Sequence, residues 1–289
     1  MKNRLSEKIV ETLLLLCAVS SVGIVFLLIS YLVWQGSPAI INWLLHGFGM
    51  EFNSVDEFGI IPYIFSTVYV GVGATAAAVA IGLPTAIYLA EFSGSRTRNF
   101  IKPSMETLSG MPSVVMGVFA YFYIAPIVFV FFGGFLCPLT AWIILAIMSL
   151  PFVVSISEDA LRAVPNSYRE ASQGLGATRW QTALRVVIPE AKSGILAAIL
   201  LSLASVLGET MAVWMIIGSV TTPPITLNPL LPSNVISSMI ATYIYSSEAG
   251  QTAQLLQSLY GAGVILLAMI GTLNIAVALL ARNRAPKGE

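Results

Sequence analysis

One carboxylate in this sequence sits where carboxylates are rarely found. Glu209 lies in Leu207-Gly208-Glu209-Thr210-Met211-Ala212-Val213, deep inside a stretch otherwise suited to hydrocarbon. An ionised acid at such a depth is costly unless it is paired or hydrated, which makes it a functional residue by default. On a helix starting at Gly194, Glu209 would lie about 22 Å along the axis at ~1.5 Å per residue. Ser202, Ser205 and Glu209 stand at i, i+3 and i+7, on one helical face. They form a narrow polar stripe suited to line a path, with Thr210 also counted among the path residues, although serines also serve as hydrogen-bonding glue between helices. Enzyme chemistry at Glu209 or at the single histidine, His46, would need a second carboxylate, a nucleophile–base pair or ligand spacing. None converges here. Cys17 and Cys137 lie in or beside apolar runs and read as packing residues, so neither metal nor cofactor is expected.

The elements that must position Glu209 follow from composition. Of 289 residues, 57% are hydrophobic and 10% charged, against about a quarter charged in soluble domains. A polar shell cannot be built from so few charges. Six stretches approach the ~20 apolar residues a bilayer requires: 9–34, 61–88, 104–132, 139–156, 194–217 and 259–281. The first is too long for a signal-peptide core and lacks a small-residue cleavage site, so it is expected to be retained. The third is interrupted by Gly110-Met111-Pro112. A helix broken there can aim its positive N-terminal end at an anion, and Ser113 would stand at that end; a plain packing kink is the alternative.

Six spans put all fourteen Lys and Arg on one side, in four groups: Lys2, Arg4 and Lys8; Arg96, Arg98 and Lys102; Arg162, Arg169, Arg179, Arg185 and Lys192; Arg282, Arg284 and Lys287. Basic residues stay cytoplasmic, so both termini are expected inside. The opposite loops carry only acids, Glu51, Asp56, Glu57 and Glu248, which suit either a docked protein with a basic rim or simple solubility. Two outer segments are long. The first, 35–58, holds His46. The second, 219–257, is proline-rich and contains a short apolar stretch, 235–245, expected to be re-entrant or interfacial. The cytoplasmic loop 158–192 is too polar for membrane and too patterned for a linker. Pro165-Asn166-Ser167 reads as a helix start, Gly174 and Gly176 as a break, and 178–187 as a second helix before Pro189 opens the next. Such a helix pair can fit a groove on a cytoplasmic partner.

In that loop, Glu170-Ala171-Ser172, three residues, Gly176, nine residues, then Val186-Val187-Ile188-Pro189 resembles the EAA motif of ABC importer permeases. Ser172 stands for the second alanine. Further runs, among them Ala86-Ile87-Tyr88-Leu89-Ala90-Glu91, Leu108-Ser109-Gly110-Met111-Pro112-Ser113, Leu150-Pro151-Phe152, Leu161-Arg162-Ala163-Val164-Pro165 and Gly208-Glu209-Thr210-Met211-Ala212-Val213, resemble the phosphate importer permeases, the PstC branch more than the PstA branch. The resemblance covers the chain from about Gly59 onward.

The resemblance implies an all-α membrane protein with the type I ABC importer transmembrane domain over 59–289, preceded by a helix and outer segment over 1–58. It implies a coupling helix built on Glu170, Ala171, Ser172, Gly176 and Pro189 and docked on an ATPase. The implied partners are a second, PstA-like permease, two copies of a PstB-like ATPase, an external PstS-like phosphate-binding protein and membrane lipid, with no nucleic acid. The chain itself has no Gly-x-x-x-x-Gly-Lys-Ser/Thr loop, in keeping with a transporter subunit that is not an enzyme and has no cofactor. A structural or receptor subunit would leave the coupling loop unexplained. One departure concerns the anion. The family commonly has arginine one turn before the Gly-Glu-Thr glutamate, where this chain has Ser205. Molybdate, tungstate or sulfate remain open beside phosphate, and Glu209 is left either protonated for part of a cycle or paired with a cation of the partner permease.

Overall fold

The computed structural model describes residues 2–46, 59–221, 223–245 and 253–282. Among them six helices are long and apolar enough to cross a membrane: Val10–Leu44, Ile61–Phe92, Ser113–Phe132, Pro138–Arg162, Arg179–Gly208 and Leu255–Leu280. In chain order the helices are α1 (Lys2–His46), α2 (Ile61–Ile87), α3 (Ser95–Ser109), α4 (Ser113–Phe119), α5 (Ala125–Phe132), α6 (Pro138–Arg162), α7 (Asn166–Gly174), α8 (Arg179–Thr182), α9 (Ile188–Gly208), α10 (Met211–Ile216), α11 (Ile236–Tyr245) and α12 (Ala253–Arg282). Wider π-helical turns at Tyr88–Phe92, Ala120–Ile124 and Ala183–Val187 extend α2, join α4 to α5 and join α8 to α9. The one strand-like pairing among the described residues is a parallel bridge between Gly218 and Ser233. The expected all-α architecture of six spans is what the chain adopts.

Small residues hold the centre together. Between helices in lipid there is little hydrophobic driving force, so close backbone approach and dispersion must supply the attraction. α2 supplies that approach toward α6 and α9. A Cβ on Gly71 would stand 2.6 Å from Leu207 Cδ2, and one on Gly82 2.9 Å from Val153 Cγ1. Gly73 makes room for the Trp142 indole. Above this contact Val70, Ala74, Ile144, Val213, Ile216 and Val235 form one buried cluster. Below it, Ala86, Leu161, Val164, Val187 and Ala191 form another.

Several elements differ from their sequence-based outlines. α1 does not stop at Trp34 but takes in Gln35 to His46. Pro38 cannot bond the carbonyl of Trp34, yet Ser37 Oγ donates to that oxygen at 2.8 Å, so the helix passes through. Its outer half then packs on α12, where a Cβ on Gly36 would meet the Gly261 backbone nitrogen at 2.8 Å. Residues 47–58, including Glu51, Asp56 and Glu57, and residue Glu248 lie outside the described residues. The third span begins at Ser113, not Ser104, because α3 is polar and buries no residue. Glu106, inside the expected third span, therefore sits on that polar helix. The stretch 178–187 is not a separate helix. Thr178 and Gln181 form a capping box, after which α8, the π turn and α9 run without a break into the fifth span. That span stops at Gly208 and does not continue to Ile217.

The short apolar stretch 235–245 forms α11, with Ile236, Ser237, Ser238, Met239 and Ala241 buried. It packs among α2, α10 and α12, so it re-enters the bundle. Polar bonds latch the returning segment: Ser66 Oγ and Ser233 Oγ are 2.8 Å apart, and Ile236 N donates to Thr67 Oγ1 at 3.0 Å. The Tyr63 hydroxyl donates to the Thr221 carbonyl.

Candidate functional site

Two helix breaks face each other at mid-bundle. The first separates α3 from α4 at Gly110-Met111-Pro112, where sequence placed it. Pro112 adopts an extended backbone, φ −60° and ψ 133°, and its carbonyl accepts from Val115 N at 3.0 Å to start α4. The second, which sequence did not reveal, separates α9 from α10. Glu209 is extended there, φ −71° and ψ 127°. Its Oε1 accepts the Ala212 N–H at 3.2 Å, and its own carbonyl accepts from Ser237 Oγ on α11 at 2.9 Å. α4 and α10 pack together so closely that a Cβ on Gly117 would stand 3.0 Å from Ala212 Cα.

Between the breaks lies a cavity of about 190 Å³. Its polar lining is Ser109, Ser113, Ser149, Ser205 and Glu209, and its walls include Met111, Met148 and Phe152. Of the five expected path residues, the structure brings together Ser113, Ser205 and Glu209. Ser202 does not line the cavity. It is fully buried, with no hydrogen-bond partner for its hydroxyl. Thr210 does not line it either; its hydroxyl points back to the Gly208 carbonyl at 3.4 Å. Two members of the i, i+3, i+7 stripe, Ser205 and Glu209, reach the cavity, while Ser202, one turn earlier on α9, is turned into the bundle. Ser109 and Ser149 were not singled out by sequence; serines at helix positions carry no distinguishing signal. His46 closes α1, far along the chain from these breaks.

A second polar assembly forms where α2, α6, α7 and α8 end. Arg169 on α7 holds Glu91 in a two-pronged grip, with Nη2 donating to Oε1 at 2.7 Å and Nε to Oε2 at 3.3 Å. Its remaining donors reach the Val164 carbonyl at 2.5 Å and the Leu161 carbonyl at 2.8 Å. Leu161 is in the last turn of α6 and Val164 lies just past its end, where carbonyls lack the full set of helical partners. Both side chains of the pair are nearly buried, at 16% and 10% exposure. Next to it Glu158, buried, meets Arg98 at 2.8 Å, Lys102 at 3.0 Å and Arg162 at 3.6 Å. Asp159 holds Lys102 at 2.8 Å. That hydrogen bond is the main reason the Lys102 amine titrates above the ordinary lysine range; burial opposes it, and Glu158 adds to it. A basic cavity of about 430 Å³, lined by Glu91, Arg162, Asn166, Arg169, Gln173 and Arg179, opens beside α7.

α7 itself presents an outward face. Glu170 and Ala171 are exposed, Tyr168 and Trp180 are about half exposed, and Leu175 is 91% exposed. Ser172 turns the other way, its hydroxyl 3.0 Å from Thr182 Oγ1. Gly176 takes a left-handed conformation, φ +86°, in which Gly176 N closes on the Gln173 carbonyl at 2.9 Å. Gly174 remains inside α7, so the break falls at Gly176 alone. Pro189 occupies the first turn of α9.

The family model described as the binding-protein-dependent transport system inner membrane component matches residues 82–287. The chain is 32% identical over 75% of its length to a probable ABC transporter permease protein YqgH of Bacillus subtilis, covering 70% of that protein. It is 36% identical over 68% of its length to the phosphate transport system permease protein PstC of Mesorhizobium japonicum, also covering 68% of that protein. Its fold matches a chain of the inward-facing MetNI methionine ABC transporter with a TM-score of 0.60 and 19% identity, over 78% of this chain and 95% of the other. Six spans, two breaks around a polar cavity and an EAA-type helix at one end accompany a family match over most of the length, and the chain belongs to the binding-protein-dependent transport system inner membrane components.

Proposed function

We propose that this chain is one of two permease subunits of an ATP-driven importer and lines the membrane pathway for inorganic phosphate. The observation that carries this reading is the cavity between the two helix breaks, where Ser113, Ser205 and Glu209 converge. Non-helical backbone at membrane depth is tolerated only where protein or a water-filled space satisfies it. Phosphate, and not molybdate, tungstate or sulfate, is favoured by the relative named as a phosphate permease. The partners in this reading are a PstA-like permease, two PstB-like ATPases and an external phosphate-binding protein. Residues 59–289 form the shared permease domain and 1–58 an added helix and outer segment.

In the same reading α7 is the coupling helix. Glu170, Ala171 and the exposed Leu175 meet the ATPase, while Ser172, Gly176 and Pro189 fix how α7 hangs from the spans. A β-branched residue at Gly176 must adopt a left-handed backbone, at a cost of about 1–2 kcal/mol. Gly176→Val is expected to lower ATP-driven uptake severalfold while the chain still inserts. Glu170→Lys is expected to weaken ATPase coupling without disturbing the folded permease. Coupled uptake unchanged in both variants would remove the coupling role.

Orientation completes the proposal. Among the described residues Arg98, Lys102, Arg162 and Arg169 gather at the α7 end, and the positive-inside rule applied to the four groups of cations in the sequence then puts both termini in the cytoplasm. Single cysteines near Asp56 and Glu248 should react with an impermeant reagent added outside intact cells. Cysteines near Arg98 and Arg179 should not. Outside labelling at Arg179 would reverse the topology and contradict an importer.

A further inference from the structure

The polar inventory of the central cavity is unusual for a site that passes an anion, because among the described residues no Lys, Arg or His lines it. Two of its hydroxyls are already committed. Ser109 Oγ donates to the Glu106 carbonyl at 2.8 Å, and Ser149 Oγ to the Ala146 carbonyl at 3.2 Å. The Ser113 and Ser205 hydroxyls have no protein hydrogen bond among the described residues. Glu209 spends Oε1 on Ala212 N. Oε2 has no protein partner there. The cavity therefore offers a solute two free hydroxyl donors and one free carboxylate acceptor.

We propose that Glu209 selects for oxyanions that carry a proton. Its free carboxylate oxygen accepts the O–H of a protonated phosphate, while Ser113 and Ser205 donate to the anion's other oxygens. This rests on reading the cavity as the pathway. Inorganic phosphate retains at least one O–H at neutral pH, and an O–H to carboxylate bond is short and strong. Sulfate and molybdate are fully deprotonated under the same conditions and offer only acceptors. Such an anion would face a second negative charge with nothing between them, and Oε2 would gain no partner from it. Sites discriminate most sharply when the wrong ligand leaves a buried polar group unmatched. A cation from the partner permease across the path would strengthen the hold on every oxyanion alike and leave this distinction to Glu209.

The test uses the assembled importer with Met111→Cys at the cavity wall, in a Cys17→Ser background. The alkylation rate of this chain is read by mass. Inorganic phosphate is expected to slow alkylation at least ~10-fold, and sulfate at the same concentration to leave it unchanged. In Glu209→Gln the charge is gone and the amide N–H₂ donates, so sulfate is expected to slow alkylation as phosphate does. Glu209→Asp keeps the acceptor and is expected to keep excluding sulfate, which provides a readout if the glutamine variant fails to assemble. Equal protection by phosphate and sulfate before any change at Glu209 overturns the selectivity but leaves the pathway intact. Sulfate still excluded in Glu209→Gln, or admitted in Glu209→Asp, also overturns it. Protection by neither anion instead removes the pathway reading, and the proposal with it.

Discussion

Arg169→Ala is expected to abolish coupled uptake while the six spans still insert. The guanidinium spans three elements: it grips Glu91 beyond α2 and holds the Leu161 carbonyl in the last turn of α6 and the Val164 carbonyl just past it, all from α7. Deleting one partner of a buried pair costs about 3–5 kcal/mol, because the other charge is left alone. Glu91 would be that charge, in a site only 10% exposed. α7 buries no residue of its own, so little else fixes it to the spans beyond the Ser172–Thr182 contact. Arg169→Lys should rescue poorly, since an ammonium cannot reproduce the planar fork. The expected readings are a lower unfolding temperature for the purified complex and ATP hydrolysis no longer stimulated by substrate-loaded binding protein. Unchanged stimulation in Arg169→Ala would mean that α7 is held by something other than this grip.

Much of the architecture was legible in the sequence because lipid imposes a strong constraint. Apolar length gave the six spans, and Gly110-Met111-Pro112 gave the first break, since proline removes a donor whatever its surroundings. Gly176 gave the end of α7. The second break was not legible. Leu207-Gly208-Glu209-Thr210 contains no proline, and glycine in a membrane helix is ordinary. The long-range contact at the end of α9 is tertiary: Ser237 on the re-entrant α11 bonds the Glu209 carbonyl, while the Glu209 carboxylate bonds the Ala212 N–H locally at the start of α10. The same break turns the Thr210 hydroxyl back to the Gly208 carbonyl, and Ser202, still inside α9, is buried away from the cavity. The opposite error occurred at the first span, expected to end at Trp34 although the helix runs on through Pro38, with Ser37 bonding the Trp34 carbonyl. The Glu91–Arg169 grip joins residues 78 apart in sequence, and neither side chain's type pointed to the other.

Ser205→Phe is expected to stop transport without unfolding the chain. Ser205 is exposed within this subunit, so the added ring forces no repacking of the core around α2. It does enter a cavity of about 190 Å³. If passage must displace the ring at the ~3 kcal/mol that upper-range overpacking costs, the rate falls about 100-fold. Assembly with the ATPase should persist, because α7 and its anchors lie at the other end of α9.

Passage between the two helix breaks is read by ATP-driven phosphate uptake into proteoliposomes that hold this chain with its partner permease, its ATPase and the phosphate-loaded binding protein. Accumulation is expected to require ATP on the α7 side and to fall by about two orders of magnitude in Ser205→Phe. Uptake at the unsubstituted rate in Ser205→Phe, from a fully assembled complex, would contradict the claim that phosphate passes between the two helix breaks.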